Sequence, residues 1–323
     1  MRNFTVLLSV DTRMLHHGGI GTYLRHLLPH LKNSFTLHSI SCRSHIYSIN
    51  EQLHLPFSIP KTDLFWSPHF NAPILPIRAR KRVVTIHDVY HLDHQRRFSQ
   101  LKGFSVKILI KQAISKADAI ISVSEFSKQR ILHFHPEAET KITVIPPGAD
   151  HLINVHPQKI EGLPERFYLY VGSEKIHKNF KILLEAFSQI DLPLVIVGKI
   201  TPISLKNLFF LHQVSDGELS WLYKNAEALI FPSLYEGWGL PPLEAMSLGC
   251  PVIASSFASI SEACGKGALY FNPLHSHELL EQIHLLKERR RELVFEGRKR
   301  ASELKWEEAS QKHKDLFQRV LSK

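Results

Sequence analysis

Residues 228–255 read ALIFPSLYEGWGLPPLEAMSLGCPVIAS, a strand, a turn, a helix and a second strand in succession. The apolar run ALIFPS ends near Ser233, and PVIAS resumes as a strand. Pro241 and Pro242 suit the first turn of the intervening helix, where a backbone N–H would have no intrahelical partner anyway. Gly249 suits the position just beyond its end. Glu236 therefore sits in the turn and Glu244 within the helix. The prolines leave the amides of Gly239, Leu240 and Leu243 as candidate contacts for an anion. Two carboxylates could share acid–base work. Their placement instead suggests separate jobs: Glu236 reaching into a cleft, Glu244 accepting hydrogen bonds from a polyol.

The same alternation runs outward along the chain. FTVLLSV precedes TYLRHLLPHLK, RVVTIHD precedes VKILIKQAISKADAIISVS, FYLYVGS precedes NFKILLEAFSQI, and SDGELSWLYKN leads into ALIFPS. Strand runs apolar on both faces belong in parallel sheets covered by helices on each side. The proline-rich stretch PPGADHLINVHPQKIEGLPER, residues 146–166, separates two such blocks. The expected fold is α/β with two Rossmann-like domains facing across a cleft: residues 1–155, residues 165–305, and a helix over 306–323 packing back on the first. Ligands of such sheets bind at the carboxyl ends of strands, so two more turns are of interest. HHGGIGTYLRHLL places Gly18, Gly19 and Gly21 between a strand and a helix, and VGSEKIHKN places Gly172, His177 and Lys178 likewise. Glycines admit close backbone approach, and a helix N-terminus favours an anion. The dinucleotide fingerprint G-x-G-x-x-G is absent, which speaks against a NAD enzyme.

The 323 residues, 44% hydrophobic, can build two cores. Three cysteines without paired spacing indicate neither disulfides nor a zinc site. MRNFTVLLSVDTRM lacks the pattern of a signal peptide, and no run reaches the ~18 apolar residues of a membrane span. The expected location is the cytoplasm. The formal charge is +10, and residues 78–116 carry ten Lys or Arg against Asp88 and Asp93. That excess suits an anionic membrane surface. Phe98, Leu101, Phe104 and Val106, interleaved with Arg96, Arg97, Lys102 and Lys107, suit peripheral contact. No nucleic-acid motif accompanies it.

EGWGLPPLEAM closely resembles the E-x7-E motif of retaining GT-B glycosyltransferases, above all glycosyltransferase family 4. GGIGTYLRHL, TIHDVYHLDH, ADAIISVSEFSKQRI, VIPPGAD, VGSEKIHKNFKILLEAF and VSDGELSWLYKNAEALIFPS are similar to the family's other segments, in order, over nearly the whole chain. The resemblance implies the GT-B fold, with a nucleotide sugar on the C-terminal domain and the acceptor on the N-terminal one. It makes Glu244 the ligand of the ribose hydroxyls, Glu236 with the turn at Gly239 and Leu240 the neighbour of the donor sugar, and Lys178 the counter-charge of the diphosphate. Gly19 would meet the diphosphate, Gly172 and His177 would join the phosphate-binding segment, His87 would lie near donor sugar and acceptor, and Val214 near the base. His177 stands where the family usually has arginine, which substitutes a partly charged ring for a bidentate fork; His212 stands where it often has glycine. No cofactor or divalent metal is implied. The wording looks most like mannosyltransferases of polysaccharide and O-antigen assembly, so GDP-mannose is the first donor to consider and a UDP-sugar the second, with a glycan or lipid-linked acceptor. A covalent Glu236 intermediate and same-face entry of the acceptor both fit retention; the second suits a glutamate on a glycine-rich turn better. The rivals are a metal hydrolase using His87, His91 and His94, and a catalytically degenerate binding protein of the same fold.

Overall fold

A computed structural model describes residues 6–42, 44, 46–94 and 100–323. The chain divides into two compact units, Met1–Pro147 with Trp306–Lys323, and Gly148–Lys305.

The first unit runs β1 (Leu7–Asp11), α1 (Gly18–Leu31), β2 (Thr36–Ile40), α2 (Ile49–Ser58), β3 (Thr62–Ser67), β4 (Ala79–Ile86), α3 (Tyr90–Asp93), α4 (Gln100–Lys116), β5 (Ala119–Ser122), α5 (Glu125–Phe134) and β6 (Ile142–Val144). The six strands form one parallel sheet in the order β2-β1-β3-β4-β5-β6. Leu8, Val10, Leu64, Phe65, Trp66, Val83, Val84 and Ile86 on its central strands are almost inaccessible to water. Each such side chain contributes about 1.5–3 kcal/mol of burial, so the apolar runs that mark the strands also hold them. Helix α1 turns Tyr23, Leu24, Leu27 and Leu31 inward. The closing helix (Trp306–Leu321) buries Trp306, Ala309, His313, Leu316 and Phe317 in the same unit. Tyr23 joins the two helices: its hydroxyl lies 2.6 Å from His313 Nε2 and its ring meets Trp306 edge-on.

The second unit runs β7 (Tyr168–Val171), α6 (Phe180–Phe187), β8 (Leu194–Val197), β9 (Leu208–Leu211), α7 (Asp216–Asn225), β10 (Leu229–Phe231), α8 (Leu240–Ser247), β11 (Val252–Ser255), α9 (Ile260–Cys264), β12 (Ala268–Phe271) and α10 (Ser276–Ser302); the closing helix is α11. Its six parallel strands follow the order β12-β11-β10-β7-β8-β9. Helix α7 opens with a reciprocal cap: Ser215 accepts from the Glu218 amide, and the Glu218 carboxylate accepts from Ser215 N.

Three expectations need correction. The stretch after Pro147 belongs to the second unit rather than extending the first to 155, because its backbone bonds there: Ala149 N donates to Leu304 O and Gln158 N to Gly217 O. Gly18, Gly19 and Gly21 do not form a loop before α1 but lie in its opening turns. A Cβ on Gly21 would come within 2.5 Å of Leu15 O, so Gly21 serves packing. Val106 faces the core at 5% exposure, because it shares the inward face of α4 with Leu109, Ile110, Ala113 and Ile114.

Candidate active site

Strands β7 and β10 are neighbours in the second sheet, so the turns at their carboxyl ends meet. The β7 turn begins at Gly172. There the chain passes close to the end of β8: a Cβ on Gly198, whose φ is +141°, would fall 1.8 Å from Gly172 O. Lys178 ends a short 3-10 turn, and Asn179 then takes a left-handed conformation, φ 55° and ψ 37°, as the first cap of α6. The Asn179 amide donates to Pro232 O beyond β10 and to Pro273 O beyond β12. The His177 carbonyl accepts from Leu234 N at 2.7 Å. Three neighbouring turns are thus knitted around Lys178.

That scaffold brings Lys178 Nζ to 2.7 Å from Glu236 Oε1. Both side chains are mostly buried, at 22% and 13% exposure. The ammonium also lies 5.8 Å from the centre of the Phe231 ring, within range of a cation–π contact. The turn carrying Glu236 is fixed from the far side. The buried Ser259 hydroxyl lies 2.9 Å from Glu236 O and 3.0 Å from Trp238 O, spanning Gly237. Gly239, at φ +121°, then redirects the chain into α8, where Leu240, Pro241 and Pro242 open the helix. Ser233 Oγ and Trp238 Nε1 are buried here without a hydrogen-bond partner among the described residues.

Glu244 points inward from α8 and is 7% exposed. The Tyr223 hydroxyl donates to its Oε2 at 2.9 Å, and His151 Nε2 lies 3.3 Å from its Oε1. Burial first, and the Glu244 charge second, raise the Tyr223 pKa well above its ordinary value, so the hydroxyl keeps its proton. Val214 stands in the loop after β9, partly exposed, with His212 exposed beside it.

Gly19 and His87 lie in the first unit. Gly19 is exposed in the first turn of α1. His87 follows directly on β4, with Nε2 2.9 Å from Pro68 O, and Ser127 Oγ donates to its carbonyl. Burial lowers its pKa, so the neutral ring dominates, Nε2–H donating to Pro68. His87 lies just beyond β4 whereas His91 lies in α3, so the three histidines of the hydrolase reading are not on one helical face. Among the described residues the converging metal-ligand group is instead His275, His277 and Glu278 at the start of α10.

Sequence reasoning singled out Lys178, Glu236 and Glu244 but missed Asn179, Ser259, Tyr223 and His151. Tyr223 reads as an ordinary core aromatic of α7, and the other three as polar residues of turns or linker. Their partners become apparent only when the strand order is known.

Two family models match the chain: glycosyl transferases group 1 over residues 154–303 and glycosyltransferase family 4 over residues 61–151. The O-antigen chain mannosyltransferase RfbU of Salmonella typhimurium is 30% identical over 243 residues, 71% of this chain and 66% of that one. The O-antigen chain mannosyltransferase B of Escherichia coli is 27% identical over 66% of this chain and 62% of that one. The chain thus spans less than two thirds of the length of these relatives. Among solved structures, a sucrose-phosphate synthase from Thermosynechococcus elongatus aligns with a TM-score of 0.78 at 19% identity, covering 98% of this chain and 99% of that one. The Anabaena HepE structure in complex with UDP-glucose aligns with a TM-score of 0.74 at 16% identity, over 98% and 99% of the two chains. At these identities the likeness is one of fold.

Proposed function

Given that the chain belongs to the group 1 glycosyltransferases and has the GT-B fold, we propose that it moves a hexose, mannose in the first instance, from a nucleoside-diphosphate sugar to a glycan, lipid-linked or lipopolysaccharide acceptor, with retention and without a divalent metal. The observation that carries this reading is the Lys178–Glu236 pair, 2.7 Å apart at adjoining strand ends. As the sugar leaves, negative charge builds on the diphosphate and positive charge on the anomeric carbon. A fixed cation with the α6 and α8 N-termini stabilises the first. Lys178 serves as that cation, with His177 beside it. Glu236 holds donor-sugar hydroxyls, supported by the amides of Gly239 and Leu240, and Glu244 holds the ribose. Gly172 opens the phosphate turn and Val214 lies against the base. Glu236 already accepts from Lys178, which suits a hydroxyl clamp better than a nucleophile. The acceptor then enters on the leaving-group face, and a phosphate oxygen takes its proton. Gly19 and His87 keep the parts the resemblance gives them.

Mannose is the first sugar because RfbU and mannosyltransferase B are named as mannosyltransferases, and GDP-mannose is accordingly the first donor to test. A UDP-sugar is the second reading, favoured by the fold likeness to the HepE complex with UDP-glucose. Incubation with each donor and detection of released nucleoside diphosphate separates them. Release from neither would leave the degenerate binding protein. The proposal extends to an anionic membrane surface met through residues 78–116. Arg78, Arg80 and Phe104 are exposed there, whereas Arg82 is buried and donates to Pro73 O. Arg96, Arg97 and Phe98 lie outside the described residues, and the Leu101 and Lys102 side chains are likewise not described. No described helix is long and apolar enough to cross a membrane. Sedimentation with anionic and neutral liposomes tests the contact; binding indifferent to lipid charge overturns its electrostatic part.

A further inference from the structure

Resting on the reading of Glu244 as the ribose ligand, we propose that Tyr223 and His151 are positioning residues that brace its carboxylate and thereby set a preference for ribo- over 2′-deoxyribonucleotides. The three side chains come from separate elements: Glu244 from α8, Tyr223 from α7, and His151 from the segment before β7. Tyr223 and Glu244 are buried, at 0% and 7% exposure, and the side chain of the partly exposed His151 is 6% exposed. An ionised carboxylate offers about two acceptor positions on each oxygen. Tyr223 takes one on Oε2 at 2.9 Å. His151 Nε2 faces Oε1 at 3.3 Å, a donor position when that nitrogen carries the proton. Each oxygen keeps one position for a vicinal hydroxyl, so the brace matches the two donors of a ribose and fixes the plane in which they are met.

Tyr223 also holds its proton because burial raises its pKa, which makes it a permanent donor to Glu244. Discrimination requires such fixity. A deoxy analogue leaves a held, buried acceptor unpaired, whereas a mobile carboxylate turns to another partner or to water. Neither brace residue touches the sugar, phosphate or base in this scheme, so their loss should remove selectivity rather than binding.

The test is calorimetric titration of GDP against 2′-deoxy-GDP, and of UDP against 2′-deoxy-UDP, with wild type, Tyr223→Phe and His151→Gln, after thermal melting has confirmed that each variant folds. The wild type should prefer the ribonucleotide by about tenfold or more, and the variants by no more than about threefold, because the 2′-deoxy affinity rises while the ribonucleotide affinity stays nearly unchanged. A wild type without the preference, or two folded variants that retain it, overturns the brace. If one variant does not fold, the other decides. A wild type that binds no nucleoside diphosphate overturns the nucleotide-sugar reading itself, and the brace with it.

Discussion

Replacing Glu236 by glutamine should tighten the binding of a bare nucleoside diphosphate while slowing sugar transfer. Glu236 Oε1 takes up Lys178 Nζ at 2.7 Å, with the Lys178 and Glu236 side chains 22% and 13% exposed. A hydrogen bond to a charged group is worth about 1.5–3 kcal/mol, and this partial exposure reduces it to roughly 1–2 kcal/mol net. An incoming diphosphate must compete with that bond and also tolerate the Glu236 charge. Glutamine removes the charge and leaves only a weaker, neutral acceptor for Lys178, so GDP or UDP should bind about 5–30-fold more tightly. The donor sugar loses its charged clamp, and transfer should fall by about 10²-fold or more. Lys178→Met should do the reverse for the nucleotide, weakening GDP or UDP about tenfold or more while leaving the nucleoside unaffected. Calorimetry in a chelating buffer reads the affinities, and chromatography of released nucleotide reads the turnover. Unaltered or weaker diphosphate binding by Glu236→Gln would refute the competition on which this reasoning rests.

Gly198→Ala should destabilise the protein by about 3 kcal/mol or more, since its Cβ would fall 1.8 Å from Gly172 O at a φ of +141°; a melting temperature within about 2 °C of wild type would contradict this. Ser259→Ala removes the hydroxyl between Glu236 O and Trp238 O and should lower kcat about tenfold with nucleotide affinity little changed, as a loosened sugar clamp requires; full activity would count against the clamp. Burial brings the His313 pKa from 6.5 down to about 4. The unfolded chain therefore binds this proton first, so the stability is fully present above about pH 6.5 and falls by roughly 3 kcal/mol as the pH drops toward 4. Urea midpoints at pH 7.5 and 4.5 should show that loss, and His313→Gln should reduce it; equal losses in both proteins would contradict the assignment.

Much of the fold was legible because β1, β5, β7, β8, β10, β11 and the second half of β4 are short, largely apolar runs, which a covered parallel sheet demands. The edge strand β2, TLHSI, leaves most of its residues exposed or partly so and carries no such signal. The four-residue β9, LFFL, is equally consistent with a buried piece of helix. The turn at Glu236 and Glu244 was legible from its prolines and glycines, which leave the chain few alternatives. The contact of Lys178 with Glu236, 58 residues apart, was not legible, because it depends on β7 and β10 pairing across two intervening strands. Tyr223 and His151 were hidden for a related reason: a buried tyrosine and a linker histidine look ordinary until the carboxylate between them is located. Gly21 shows the opposite error, a glycine read for its ligand that the structure requires for packing against Leu15.

The most direct measurement is a thermal-shift and calorimetric panel of GDP, GDP-mannose, UDP and UDP-glucose with the chelator-treated protein and its Glu244→Ala variant. At least one nucleoside diphosphate and its sugar should bind and stabilise the wild type without metal, and the variant should lose that response. Binding by none of the four, binding that returns only with a divalent cation, or binding untouched by the loss of Glu244 would contradict a metal-free nucleotide-sugar site built on this carboxylate.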